Sequence, residues 1–152
     1  MTSDSPITIY SIGFTKISAE QFFGSLIKSG VKKIIDVRLN NISQLSGFAK
    51  KKDLEYFLRA LGNISYVHMP LLAPTENMLR EYREKRDWEK YEQRFKCLLE
   101  ERKIEDKLNP SELDKGCLLC AEETPLHCHR RLVAEYLQRK WGNVKITHLV
   151  PT

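Results

Sequence analysis

Two short β-branched runs flank one amphipathic helical segment within the first forty positions, and this spacing constrains the fold more than any other feature of the chain. Ile7-Thr-Ile-Tyr-Ser-Ile12 stops at Gly13 and reads as a strand feeding a turn. Ser18 is the expected cap of a helix from Ala19 to Ser29, where Phe22, Phe23, Leu26 and Ile27 recur at helical spacing and Gly30 takes the terminating position. Val31-Lys-Lys-Ile-Ile-Asp-Val37 is a second apolar strand. A strand, a helix and a strand in about thirty residues form a βαβ unit, whose crossover makes the two strands parallel.

The alternation continues. Asp53 to Leu61 predicts a short helix with Leu54, Phe57, Leu58 and Leu61 on its inner face, and Ile64-Ser-Tyr-Val-His68 predicts a third strand before Pro70 and Pro74 break the chain. Glu76 to about Lys107 carries the longest helical pattern, apolar along Met78, Leu79, Tyr82, Trp88, Tyr91, Phe95, Leu98 and Leu99. Its opposite face interleaves Arg80, Arg83, Lys85 and Arg86 with Glu81, Glu84, Asp87 and Glu89, the signature of a solvated face laced with ion pairs. Gly116-Cys-Leu-Leu-Cys-Ala121 reads as a fourth strand buried on both faces, Leu126 to Trp141 as the last helix and Val144-Lys-Ile-Thr-His-Leu149 as a fifth strand. The expected architecture is one α/β domain over residues 1–152, a three-layer α/β/α fold with a mainly parallel, Rossmann-like sheet of about five strands.

No apolar run approaches the roughly 20 residues that span a bilayer, and the polar start Met1-Thr-Ser-Asp-Ser-Pro6 lacks the layout of a signal peptide, so a cytoplasmic location and no membrane partner are expected. Four cysteines in 152 residues do not suggest a secreted disulfide framework. The formal charge of +5 favours polyanions at long range without identifying one.

In a parallel sheet, ligands sit beyond the carboxyl ends of the strands. Gly13-Phe14-Thr15 follows the first strand, Asp36-Val37-Arg38 the second, His68 the third, and Cys120-Ala121-Glu122 the fourth, leading to His127-Cys-His-Arg-Arg131. Asp36 and Arg38 share a strand face, where a carboxylate holds a guanidinium either to organise the loop or to bind a ligand. Cys117 and Cys120 face opposite sides of a strand, so this C-x-x-C is not a metal knuckle and Cys117 belongs to the core. Cys120 forms a better cluster with Cys128 and His129. It reads either as an incomplete metal set, short of an obvious fourth ligand unless His127, Glu122 or water serves, or as a site whose Cys128 thiol is activated at a helix N-terminus. That helix start also favours an anion, which Arg130 is placed to grip, and Glu122 is a candidate general base. The long polar stretch from Arg38 to Lys50 reads as an exposed loop with functional potential, and Lys50-Lys-Lys52 as a solvated helix start.

Ile9-Tyr-Ser-Ile-Gly-Phe-Thr15, Asp36-Val-Arg38, Gly47-Phe48-Ala-Lys50 before a helix, and Leu118-Leu-Cys-Ala-Glu122 followed by Cys128-His-Arg-Arg-Leu-Val133 together resemble the domain-of-unknown-function 488 family. The similarity runs in order from about Ile7 to Leu149 and is most specific in its C-terminal element. It implies a single α/β domain with a parallel sheet and a site on Gly13, Thr15, Asp36, Arg38, His68, Cys120, Glu122, Cys128, His129 and Arg130, but no reaction. One departure is His68-Met-Pro-Leu-Leu-Ala-Pro74, where such sequences commonly carry a Leu-Gly turn. Ala73 lacks a glycine's access to positive φ, which removes support for a backbone contact to ligand there.

The leading functional expectation is an enzyme or enzyme-like domain acting on a nucleotide or nucleic-acid phosphate. Asp36, Glu122, Cys128 and His129 are its candidate catalytic residues, and Gly13, Thr15, Arg38, His68, Cys120 and Arg130 its candidate ligand contacts. A non-catalytic nucleic-acid-binding module using the loop from Arg38 to Lys52 and the basic residues beside it is the alternative, followed by a thiol-redox or metal-binding protein using Cys120 and Cys128. No metal is assigned to the site, and no cofactor or oligomeric state follows from the sequence.

Overall fold

The computed structural model describes residues 6–39, 51–120 and 127–150. The loop expected from Arg38 to Lys50, with Gly47-Phe48-Ala49-Lys50, lies almost wholly outside them, as do Glu122 and its neighbours up to Leu126. The elements run β1 (Ile7–Gly13), α1 (Ala19–Ser29), β2 (Lys33–Asp36), α2 (Lys51–Gly62) and β3 (Ser65–His68), then a 3-10 turn at Pro70–Leu72. They continue as α3 (Glu76–Lys85), α4 (Trp88–Arg102), α5 (Ile104–Lys107), α6 (Pro110–Leu113), β4 (Gly116–Cys120), α7 (His129–Trp141) and β5 (Val144–His148). The strands form one sheet in the order β3-β2-β4-β1-β5, and every pairing is parallel.

Strand alternation divides the core in two. Ile12, Ile34, Cys117 and Leu119 pack with Phe22, Phe23 and Leu26 of α1 and Leu54 and Leu58 of α2. Ile9, Ile35, Leu118 and Cys120 point to the other layer, among Phe95 and Leu99 of α4 and Val133, Ala134 and Leu137 of α7. Helices therefore cover both faces, and all of β4 is buried between them, which is the three-layer architecture that the unbroken apolar run predicts. Cys117 and Cys120 lie in different layers, as their spacing on a strand requires. Among the described residues no helix is long and apolar enough to cross a membrane.

Local signals account for most boundaries. Ser18 accepts from the Gln21 amide while the Gln21 side chain accepts from the Ser18 amide, a capping box, and Gly30 closes α1 at φ 79°. The long helical pattern from Glu76 to Lys107 is not one helix. Arg86 (φ 54°) ends α3 in the left-handed region, Asp87 caps α4 by accepting from the Lys90 amide, and Lys103 (φ 51°) breaks the chain again before α5. The apolar stripe continues across these breaks because Tyr82, Trp88 and Tyr91 pack ring against ring at the corner, with centroids 5.1–5.7 Å apart.

Two carboxylates collect much of the charge along α3 and α4. Glu81 receives Lys85, Lys90 and Arg94, and Glu92 receives Lys96 and Arg131. Both carboxyls are held below their ordinary range chiefly by hydrogen bonds from the lysines, Lys90 and Lys96 respectively.

Gly116 begins β4 where two backbones come close. A Cβ there would sit 2.7 Å from Ile35 Cδ1 and 3.0 Å from the Leu113 carbonyl oxygen. Gly116→Ala is expected to destabilise the fold by about 1–3 kcal/mol, the usual cost of overpacking, measured as a lower urea midpoint with an unchanged slope.

Candidate functional site

The sheet register aligns the strand ends into one rim. Gly13 pairs with Cys120, and Asp36 lies beside both His68 and Leu119. β2 ends at Asp36, whose carboxylate is wholly buried and fully engaged. Its Oδ1 accepts from the Arg38 amide at 3.1 Å and from Arg38 Nε at 2.9 Å, and its Oδ2 accepts from Arg38 Nη2 at 2.8 Å and from the Tyr66 hydroxyl at 2.6 Å. The Arg38 guanidinium, 6% exposed, also lies over the Phe14 ring, 5.2 Å from its centroid. A bidentate pair with an aromatic lid compensates two charges that would otherwise be costly to bury.

This latch fixes the backbone that follows β2, and two histidines read it. His68 Nε2 donates to the Arg38 carbonyl at 2.7 Å, and His129 Nε2 donates to the Val37 carbonyl at 2.7 Å. A carbonyl can only accept, so the proton of each ring is assigned to Nε2. In neutral His129 the Nδ1 lone pair is therefore exposed to whatever lies on the other side of the ring. That neighbour is Cys120, whose Sγ is 3.5 Å from Nδ1.

Cys128 completes the cluster. It is the N-cap of α7 in extended conformation (φ −138°, ψ 139°), yet its side chain makes no capping hydrogen bond. The sulfur faces the cluster instead, and one ligand atom each from Cys120, Cys128 and His129 lies within 4.8 Å of the others. All three residues are buried. Burial pushes the Cys128 thiol well above its ordinary range, the neighbouring Cys120 pushes it further, and His129 opposes them. Burial likewise holds the Cys117 thiol far above its usual value on the opposite face of β4.

Arg130, the next residue of α7, is also fully buried. Its Nε donates to Ser11 Oγ at 3.1 Å, so the guanidinium runs beneath the rim towards β1. Ser11 Oγ also meets His148 Nδ1 at the end of β5. Burial, reinforced by the Arg130 charge, holds His148 below its ordinary range, with Glu135 opposing. Neutral His148 accepts from the Ser11 hydroxyl, which in turn accepts from Arg130.

The structure thus brings Asp36, Arg38, His68, Cys120, Cys128 and His129 into one hydrogen-bonded rim, with Gly13 at the adjoining strand end and Arg130 beneath it. Thr15, half-buried, stands two residues beyond β1. Exposed His127 is turned away, stacked on Trp88 with centroids 4.9 Å apart, and Arg131 is taken up by Glu92 and Glu135. Ala73, at φ −98°, has ordinary extended backbone.

Sequence reasoning missed Ser11, Tyr66 and His148. Their signals were present: Ser11 is a polar residue facing inward in an apolar strand, Tyr66 shares a face with His68, and His148 ends the fifth strand as His68 ends the third.

Two outcomes follow. Asp36→Ala strands a buried guanidinium and is expected to cost about 3–5 kcal/mol, read by chemical denaturation. His148, with a folded pKa below its unfolded value, contributes stability that is present above about pH 6.5 and is lost as pH falls through the folded value. The thermal midpoint is expected to fall on acidification from pH about 7.5 to about 5.5, and His148→Gln is expected to flatten that fall.

The model of the family described as domain of unknown function DUF488 matches residues 18–137, most of the chain and every element from α1 into α7. No curated protein and no solved structure matches it.

Proposed function

The chain belongs to the DUF488 family, and from this premise, which carries no reaction, we propose that it is an enzyme or enzyme-like domain working at the carboxyl rim of the sheet on the phosphate of a nucleotide or nucleic acid. The observation that carries the reading is the buried Cys120–His129 contact, with a ring whose Nε2 is committed to the Val37 carbonyl and whose Nδ1 faces sulfur. A ring oriented through one nitrogen so that the other meets a thiol is suited to handling a proton or an electrophile.

The phosphate class rests on three further features. The first amides of α7 lack a side-chain cap at Cys128, the helix dipole favours an anion there, and the chain carries a net charge of +5. In this reading His129 with Cys120 at its Nδ1 supplies the reactive group, Cys128 lines it as a thiol that burial keeps protonated rather than activated by the helix start, and Glu122, two residues beyond Cys120, is the carboxylate for proton handling. Asp36 and Arg38 are positioning residues. The α3 and α4 face does not favour a non-catalytic module, because its Lys85, Lys90, Arg94 and Lys96 are paired with Glu81 and Glu92, and the loop from Arg38 to Lys52 on which such a module would rest lies largely outside the described residues.

A 5′-nucleoside monophosphate and a single-stranded oligonucleotide are the direct probes. The reading expects binding that weakens with added salt, together with phosphate-ester turnover that Cys120→Ser and His129→Ala each reduce by roughly 10²–10⁴-fold without loss of binding. Absence of binding at low salt, or turnover indifferent to both substitutions, would contradict it.

A further inference from the structure

We propose that Cys120 Sγ, Cys128 Sγ and His129 Nδ1 form a binding site for a zinc-class divalent ion. The inference deepens the reading of the rim as the working site, and it rests on four features of the cluster.

The first is the donor set. Two sulfurs and one imidazole nitrogen lie within 4.8 Å of one another, and thiolate with imidazole selects zinc and similar borderline ions over magnesium or calcium. Cys120 ends β4, whereas Cys128 and His129 open α7. The site is thus held between two regular elements rather than within one loop.

The second is scale. With metal–sulfur and metal–nitrogen bonds of about 2.3 and 2.05 Å, a tetrahedral ion places sulfur and nitrogen about 3.6 Å apart and the two sulfurs about 3.8 Å apart. Cys120 Sγ and His129 Nδ1 are 3.5 Å apart. The edge that can be compared directly already has the length a shared ion requires.

The third is the outer contact of the histidine. A ligating imidazole commonly donates its other N–H to a carboxylate or backbone carbonyl, which fixes tautomer and ring plane. His129 Nε2 does this at the Val37 carbonyl, 2.7 Å away, and the Asp36–Arg38 latch holds that carbonyl in turn.

The fourth is charge balance. Two thiolates neutralise a divalent charge, so the occupied centre brings no net charge into a buried region where Arg130 is already a cation.

Three protein donors leave the fourth position of a tetrahedral ion to a ligand from outside this set. Catalytic zinc sites keep such a position for water or a substrate oxygen, where the ion acts as a Lewis acid. A phosphoryl oxygen is a ligand of that kind.

The test is titration of Zn²⁺ and Co²⁺ into the reduced, chelator-treated full chain. The proposal expects one ion per chain and, with Co²⁺, the intense thiolate-to-metal charge-transfer band and tetrahedral d–d bands of a sulfur-rich site. Cys120→Ser, Cys128→Ser and His129→Ala should each weaken binding by more than the roughly 10–100-fold that loss of an outer-shell partner costs, while Cys97→Ser, at an exposed position away from the site, should not. Zn²⁺ should also slow alkylation of Cys120 and Cys128 in the wild-type chain, mapped by mass spectrometry. This readout decides the matter if a variant fails to fold.

Absence of a charge-transfer band in the wild-type chain, or alkylation of both thiols unaffected by Zn²⁺, would overturn the site. Phosphate-ester turnover measured in the same samples separates the two proposals. Turnover that persists in a chain unable to bind metal sinks the metal site alone, whereas tight metal binding without nucleotide binding or turnover supports the metal site and sinks the phosphate reading.

Discussion

The bidentate pair between Asp36 and Arg38 governs the rim. Both side chains are buried, and the carboxylate accepts from the Arg38 amide, Nε and Nη2 and from the Tyr66 hydroxyl. A carboxylate so engaged has little capacity left for chemistry of its own. Its effect is carried by the backbone: it sets the direction of the chain after β2 and hence of the Val37 and Arg38 carbonyls, which receive His129 and His68. One ion pair therefore determines how two imidazoles are presented, and through His129 how the ring meets Cys120.

The sheet order explains why these residues meet. β4 lies between β2 and β1, so the last residue of β4 emerges beside the ends of both, and α7 begins directly above it. The order β3-β2-β4-β1-β5 places the early β2 segment against the late β4–α7 segment, more than eighty residues apart in sequence. The contact from His129 to Val37 across this junction closes the rim as a tertiary interaction with no local counterpart.

This distance also explains what was legible in the sequence. The strands and helices were readable because their signals are local: the Ser18 cap, the stop at Gly30 and the unbroken apolar run of β4 need no distant partner. The opposite placement of Cys117 and Cys120 followed from strand geometry alone. The breaks at Arg86 and Lys103 were not anticipated because the apolar stripe continues through them, and nothing short of the Tyr82–Trp88–Tyr91 packing marks the corner. The rim residues were found because polar groups at the ends of buried strands stand out. Their partners Ser11, Tyr66 and His148 were not, because which strands are neighbours decides who meets whom, and strand order is not written in periodicity. The backbone carbonyl of Val37 carries no side-chain signal at all.

The central claim is that the latch presents His129 with its proton on Nε2 and its Nδ1 turned to sulfur. Long-range ¹H–¹⁵N correlation of the His129 ring near neutral pH tests it most directly. The account predicts a single Nε2–H tautomer, with that proton protected from solvent exchange by the Val37 carbonyl and an unprotonated or metal-bound Nδ1. A proton resident on Nδ1, or a ring averaging rapidly between tautomers, would contradict it, because the imidazole would then not be oriented by the backbone that Asp36 and Arg38 hold.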